Sequence, residues 1–398
     1  MKKNSIAVFF SKDVNVKGDN EYFDFCDPNI FYLTGVDQAN IKLIMHKNSK
    51  NEIKSYLFVQ QSTKFLETWH GKKLSIVQSR SISGIDNVYL LKDFEDKFDK
   101  LSKKIKHLYT FEHKMFDTCL NDYKNFIKKS KRKLKGVSIE SSAKIISKLR
   151  QVKSSEEITQ LQNAMEITSE AFLHVLKNLK KLKNEAQVSA LLSFDYIRNH
   201  TKHSYEPICA SGANSCIMHY VTNKDNFKKN DLILIDSGCE INNYKNDISR
   251  TFPVSGKFTK RQELIYETCL KVQKYAISIV KVGMNFRDLD EAARKFMSIE
   301  LIKIGLIKKK DYDKDEKIVN KFYPHSIGHF LGLDTHDLAS TLVLEEGHVI
   351  TIEPGIYINK EKIGIRIEDN ILVTNEGPVN LSKSIPKEID EIERIMNN

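Results

Sequence analysis

Four acidic residues of this chain stand where apolar runs end, and three histidines crowd an apolar stretch between them. Asn230–Val254 reads NDLILIDSGCEINNYKNDISRTFPV. The apolar run Leu232–Ile235 ends in Asp236 and turns at Ser237-Gly238, and a second run, Ile248–Phe252, follows directly on Asp247. A buried carboxylate costs several kcal/mol unless it is paired or binds a metal, so something must neutralise Asp236. The device recurs further on. Gly347–Gly355, GHVITIEPG, carries Glu353, and Gly364–Asp369, GIRIED, carries Glu368. Two hairpins with two carboxylates each read as a divergent internal repeat. Between them lies HSIGHFLGLDTH, with His325, His329 and His336.

Asp236, Asp247, His329, Glu353 and Glu368 together suit two divalent cations, whose charge cancels that of four carboxylates without arginine partners. Oxygen-rich ligation with one imidazole favours Mn²⁺, Co²⁺, Fe²⁺ or Zn²⁺ over a thiolate zinc site. A bridged pair about 3.5–4 Å apart activates a water and polarises a carbonyl together. Taken singly, each of the five is an ordinary strand-end acid or imidazole; the repeated hairpin is what singles out the set.

The elements that must position them divide the chain. Its 398 residues exceed one typical domain. Residues 1–150 alternate β-branched and aromatic runs (Ile6–Phe10, Ile41–Met45, Tyr56–Val59, Val88–Leu91, Leu108–Phe111, Val137–Ile139) with helical stretches near Asp93–Lys104 and Lys114–Lys129. That alternation predicts an α/β domain on a mostly parallel or mixed sheet. Nothing in it has catalytic spacing: His46, His107 and His113 read as surface or core residues. Trp69, beside His70-Gly71 in a loop, reads as core packing, with a cover over a pocket as the alternative.

Residues 151–398 open with a capping box, Ser154 to Glu157, and helices are predicted from there, over Glu185–Arg198, after Thr259, over Phe286–Ile304 and over Lys387–Met396. Strands are expected at Tyr205–Cys209 and Cys216–Tyr220, around Ser211–Asn214. Helices and antiparallel strand pairs in separate runs predict an α+β second domain.

The net charge of +11 permits polyanion contact, but the basic residues are spread along the chain. The one dense run, Lys128–Lys135, reads as a solvated helix end or loop, with a polyanion patch as the alternative, and neither nucleic acid nor membrane is expected as a partner. Six cysteines without a CxxC suggest neither a disulfide framework nor a zinc site. No apolar run approaches the roughly 20 residues of a membrane span. The apolar core after Met1-Lys2-Lys3 is too short for a signal peptide, and the expected location is the cytoplasm. His200 and His203 lack an acidic partner at useful spacing, and Cys239 reads as packing.

The stretches Ile235–Gly238, Asn246–Phe252, His325–Gly332, Ile352–Gly355 and Gly364–Asp369 make residues from about 150 onward resemble the pita-bread metallopeptidases, which include methionine aminopeptidase, prolidase and aminopeptidase P. Asn4–Val8 and Phe31–Gly35 resemble the openings of the amino-terminal domain of aminopeptidase P, which methionine aminopeptidase usually lacks. His219-Tyr220, Gly238–Glu240, Phe252–Phe258 and Ile385–Glu393 are closer to aminopeptidase P than to prolidase. Where the family often has His-Gly this chain has His325-Ser326, and where it often has Gly-Ser-Gly it has Ala210-Ser211-Gly212.

The resemblance implies a pita-bread catalytic domain behind a smaller α/β domain, and removal of an N-terminal residue ahead of proline. It implies a homodimer or homotetramer, and two divalent ions with Mn²⁺ first and Co²⁺, Zn²⁺ or Fe²⁺ as alternatives. It assigns Asp236 to one metal, His329 and Glu353 to the other, and Asp247 and Glu368 to the bridge. Glu353 would also hold the proton of the nucleophilic water. His219 and His336 would serve the leaving amine and the oxyanion, His325 would line the pocket beyond the scissile bond, and Arg366 would orient the bridging carboxylates. The alternatives are a prolidase restricted to dipeptides and, from another class, a non-catalytic pita-bread module that binds protein or nucleic acid.

Overall fold

The computed structural model describes residues 1–11, 15–16, 22–23, 27–111 and 121–398. The chain divides into two compact units, Met1–Leu149 and Arg150–Asn398. His113, Cys26, Cys119 and the first part of the helix expected near Lys114–Lys129 lie outside the described residues.

The first unit is built on a six-stranded mixed sheet in the order Asn87–Leu90, Ile53–Val59, Lys42–Lys47, Ser5–Phe10, His107–Thr110, Ser138–Ser141. All six strands fall on the expected runs. Ser5–Phe10 is buried along its whole length, as a central strand must be when helices cover both faces. The helix Phe94–Ser102 buries Phe94 and Phe98 against Phe10, Phe58 and Phe126. Trp69 corrects the core-packing expectation. It lies on a helix, Lys64–His70, capped by Thr63, and is 62% exposed beside an equally bare Phe65.

The second unit is α+β. Its long helices are Ser155–Asn178, Glu185–Arg198, Lys260–Ile279 and Phe286–Lys303. Capping boxes at Ser154 and Thr259 satisfy the first free amides of two of them. Their apolar faces (Leu161, Phe172, Leu192, Ile265, Met297) pack on strands Leu232–Ser237 and Ile248–Pro253. Those strands pair antiparallel with Asp236 opposite Ser249, and Ile208–Ser211 adds a third strand. Gly238 is required here: a Cβ would stand 1.9 Å from the Asn246 carbonyl oxygen, so no other residue lets the hairpin close.

Two expectations need revision. The segment read as a strand over Cys216–Tyr220 is a 3-10 turn, Gly212–Cys216, running into irregular chain. Ile217–Tyr220 joins no ladder, and of its side chains Tyr220 is buried while Ile217 stands exposed. The second carboxylate hairpin is also interrupted. Val349–Ile352 pairs with Asp369–Thr374, and Gly355–Ile358 with Ile363–Arg366. Pro354 has no N–H to continue the ladder. The break leaves Glu353 and Glu368 between strands, their amides bonded instead to the carbonyls of Ile327 (2.7 Å) and Ser249 (3.0 Å).

Candidate active site

A pocket of about 270 Å³ in the second unit is lined by Met218, His219, Asp236, Asp247, His325, Ser326, His329, His336, Glu353, Arg366 and Glu368. All nine residues picked from the sequence, drawn from both hairpins and two loops, face this one cavity. Carboxylate oxygens of Asp247 and Glu368 and a ring nitrogen of His329 lie within 4.8 Å of one another. His329 Nε2 is 3.3 Å from Asp247 Oδ2 and 3.5 Å from Glu353 Oε1. His329 Nδ1 donates to the Phe330 carbonyl (3.0 Å), which leaves Nε2 as the ligating nitrogen of the neutral ring. Gly328 lets this residue approach, since a Cβ there would meet the Thr351 carbonyl at 2.0 Å.

The electrostatics describe a cluster built for cations. Burial, reinforced by Asp247, pushes Asp236 up to about 7. Burial and the neighbouring carboxylates hold Glu368 well above the usual range, and burial raises Glu353. Burial opposes charge on His329 too, yet its bond to Asp247 and the Glu353 charge bring it up to about 9. Like charges at this separation cannot all ionise without a counter-charge. Glu368 Oε1 is buried without a hydrogen-bond partner, while Oε2 accepts from Ser249 Oγ (2.8 Å). Four carboxylates, one imidazole and an orphaned buried oxygen fit hard or borderline divalent cations.

Arg366 does not reach the carboxylates it was expected to orient. Its Nη2 donates to Asp236 Oδ2 (2.6 Å), Nε to Ser249 Oγ (2.7 Å) and Nη1 to Tyr357 Oη (3.1 Å). Its hydrogen-bonded link to Glu368 runs through Ser249, while its charge also acts on Glu368 directly. His325 is fully engaged: Nδ1 donates to the Ser326 carbonyl and Nε2 accepts from Tyr357, both at 2.9 Å. Burial lowers it to about 4, so it presents a neutral ring wall. Ser326, where the family often has glycine, is not in the left-handed region, so serine fits unstrained. The His336 ring lies 4.1 Å from that of His329, and burial keeps it below the ordinary histidine value. His219 stands exposed at the pocket edge.

Sequence reasoning missed Tyr205. Its hydroxyl lies 2.5 Å from Asp236 Oδ1 and also against Asp247 Oδ1, on a side chain held just before strand Ile208–Ser211. A lone aromatic near a strand start carries no such signal. Ser249 and Thr351 were also missed. Both lie two residues from a carboxylate, where strand alternation puts side chains on one face, and that spacing could have found them. Thr351 Oγ1 donates to Glu353 Oε1 (3.3 Å) and accepts from the His329 amide (3.0 Å).

The comparisons with known proteins agree with this geometry. The model of metallopeptidase family M24 matches residues 159–375, and that of the aminopeptidase P N-terminal domain matches residues 1–109. Xaa-Pro aminopeptidase of Haemophilus influenzae is 33% identical, the match covering 100% of this chain and 94% of that one. Human Xaa-Pro aminopeptidase 3 is 30% identical, over 98% and 80%. Among solved structures, Escherichia coli aminopeptidase P with the inhibitor Pro-Leu superposes with a TM-score of 0.92 at 27% identity, covering 100% and 95%. A zinc-substituted form of that enzyme, in complex with product, gives 0.90 at 28%. The chain therefore belongs to metallopeptidase family M24. It is a two-domain enzyme of the aminopeptidase P type, with an M24 unit behind the family's N-terminal domain.

Proposed function

We propose that this chain is an Xaa-Pro aminopeptidase that hydrolyses the peptide bond between an N-terminal residue and a following proline. The observation that carries the reading is the five-residue acidic and imidazole cluster at the floor of one pocket, in a chain alike along its whole length to enzymes of that name. Two divalent ions fit the donor set, with Asp236 at one position, His329 and Glu353 at the other, and Asp247 and Glu368 shared. Mn²⁺ is the first candidate, from the oxygen-rich ligation. When bound, such a pair supplies Lewis acidity toward the scissile carbonyl and lowers the pKa of a water.

The chain's own residues do the rest. Glu353 holds the proton taken from the water. Neutral His336 donates toward the oxygen that becomes negative, and His219, at the rim, passes a proton to the departing proline nitrogen. His325 and Tyr357 form the wall beyond the scissile bond. Arg366 fixes Asp236 by its 2.6 Å bond. The same reading includes a cytoplasmic location and a homodimer or homotetramer, supported by the family resemblance; no described helix is long and apolar enough to cross a membrane.

The test is release of the first residue from an Xaa-Pro-Xaa tripeptide and from an Xaa-Pro dipeptide, with metal-stripped protein and with Mn²⁺ restored. Metal-dependent cleavage of the tripeptide is expected. Cleavage of the dipeptide alone would make the enzyme a prolidase.

A further inference from the structure

Outside the metal cluster, one buried carboxylate has more donors than any cation-free acid needs. Glu185 is the first residue of helix Glu185–Arg198 and is fully buried. Its Oε1 accepts from the Ser211 amide (2.7 Å), Ser211 Oγ (2.8 Å) and Asn214 Nδ2 (3.0 Å). Its Oε2 accepts from Tyr220 Oη (2.7 Å) and the Asp225 amide (2.9 Å). Its own amide donates to the Asp225 carbonyl (3.1 Å). Two carboxylate oxygens offer about four lone-pair sites, so this group is saturated.

The donors are not scattered. They come from the start, middle and end of segment 211–225, which contains the Cys216–Tyr220 stretch read from its sequence as a strand. That segment has no ladder to hold it across Ile217–Tyr220, yet it carries Met218 and His219 to the pocket. His219 is exposed, while its neighbour Tyr220 is buried and tied to Glu185. Burial and Glu185 push the Tyr220 phenol up to about 12, so it remains a donor. Asn223 adds a separate clamp, from the Cys209 amide (2.8 Å) and to the Pro207 carbonyl (2.7 Å).

We propose that Glu185 is the positioning residue for His219: a buried carboxylate gathers five donors of one loop and so sets the place of a histidine that no secondary structure holds. The proposal rests on the role given above to His219. A carboxylate suits the task because it is an acceptor on both oxygens. Glutamine, its isostere, has one acceptor and one amide group, and whichever way it turns, the amide faces two or three donors. The loop would stay attached through Asn223 but lose its register at Tyr220 or at Ser211.

The experiment is a cycle of Glu185→Gln, His219→Ala and the double variant, with kcat and KM on a tripeptide, metal content and Tm for each. Glu185→Gln is expected to lower kcat about tenfold or more, a part of what a positioned general acid contributes, with metal content unchanged. In the His219→Ala background the same change is expected to cost nothing further, since non-additivity marks residues acting through one another. An equal loss in both backgrounds, or wild-type kcat in Glu185→Gln, overturns the proposal. Full activity of His219→Ala alone overturns the reading of His219 instead. Should Glu185→Gln fail to fold, Tyr220→Phe removes a single donor. It is expected to lower kcat about threefold, again only when His219 is present; no effect in either background would overturn the anchor.

Discussion

Replacement of Arg150 by methionine should separate the scaffold of the histidine loop from its chemistry. Arg150 is 1% exposed, and its Nη2 lies 2.5 Å from Asp337 Oδ1 and 2.6 Å from Asp334 Oδ2. Asp337 is as deeply buried and also takes Lys153 Nζ at 3.1 Å and the Leu338 amide at 2.9 Å. Breaking a buried ion pair costs about 3–5 kcal/mol, because the remaining charge is left in a medium that does not solvate it. Asp337 keeps Lys153, so the lower end, about 3 kcal/mol, is expected. For a unit of this size that is a fall in Tm of about 6–12 °C. The sign against pH follows from Asp337. Burial opposes its charge, but Lys153 and Arg150 hold it below its ordinary value of 3.8. A depressed carboxyl contributes stability above its unfolded pKa and loses it as pH falls through the folded one. The gap in Tm between wild type and variant should be full at pH 7 and close below about pH 4. Activity should fall too, since the Asp337 amide donates to the Phe330 carbonyl (2.8 Å) and so ties His336 back to His329. Calorimetry from pH 3 to 8 measures this. A variant within about 1 °C of wild type at pH 7, or a gap unchanged down to pH 3, would refute the reasoning.

Other perturbations test other parts of the site. Asp247→Ala or Glu368→Ala should abolish peptide cleavage and lower the metal recovered with the protein, read by elemental analysis; full activity in either would sink the ligand assignment. Tyr205→Phe keeps the ring but removes the hydroxyl that lies against Asp236 and Asp247. Metal affinity should weaken about tenfold, by titration of stripped protein, with the fold intact. His348 accepts from the Glu345 amide (3.1 Å), and burial pushes it down to about 4. A base with a depressed pKa costs stability as pH falls from its unfolded value near 6.5 toward 4, because only the unfolded chain takes up the proton. Wild-type Tm should therefore decline across that window, and His348→Asn, which keeps an acceptor, should decline less.

Much of this protein is legible in its sequence, for physical reasons that differ between parts. Capping boxes at Ser154 and Thr259 and the apolar faces behind them are local signals, and both helices begin where those signals stand. An apolar strand ending in an acid is also local. Burying Asp236 is costly enough that the residues alone demand a neutralising partner. The five cluster residues could thus be named before any fold was known, as could the alternation that builds the first unit's sheet. Tertiary structure decided the rest. Pro354 breaks a hairpin that reads as continuous; the register of two separate ladders brings Glu353 and Glu368 together, and the Glu368 amide bond to the Ser249 carbonyl joins them to the strand that follows Asp247. Arg366 turns to Asp236 because Ser249 and Tyr357 hold its other nitrogens. Tyr205 and Glu185 act on partners distant in sequence, so no spacing announces them. The exposure of Trp69 was likewise invisible, because an aromatic residue fits a core and a surface equally well until its neighbours are placed. Residue type and period determined which groups had to be neutralised; long-range pairing alone determined what neutralises and aims them.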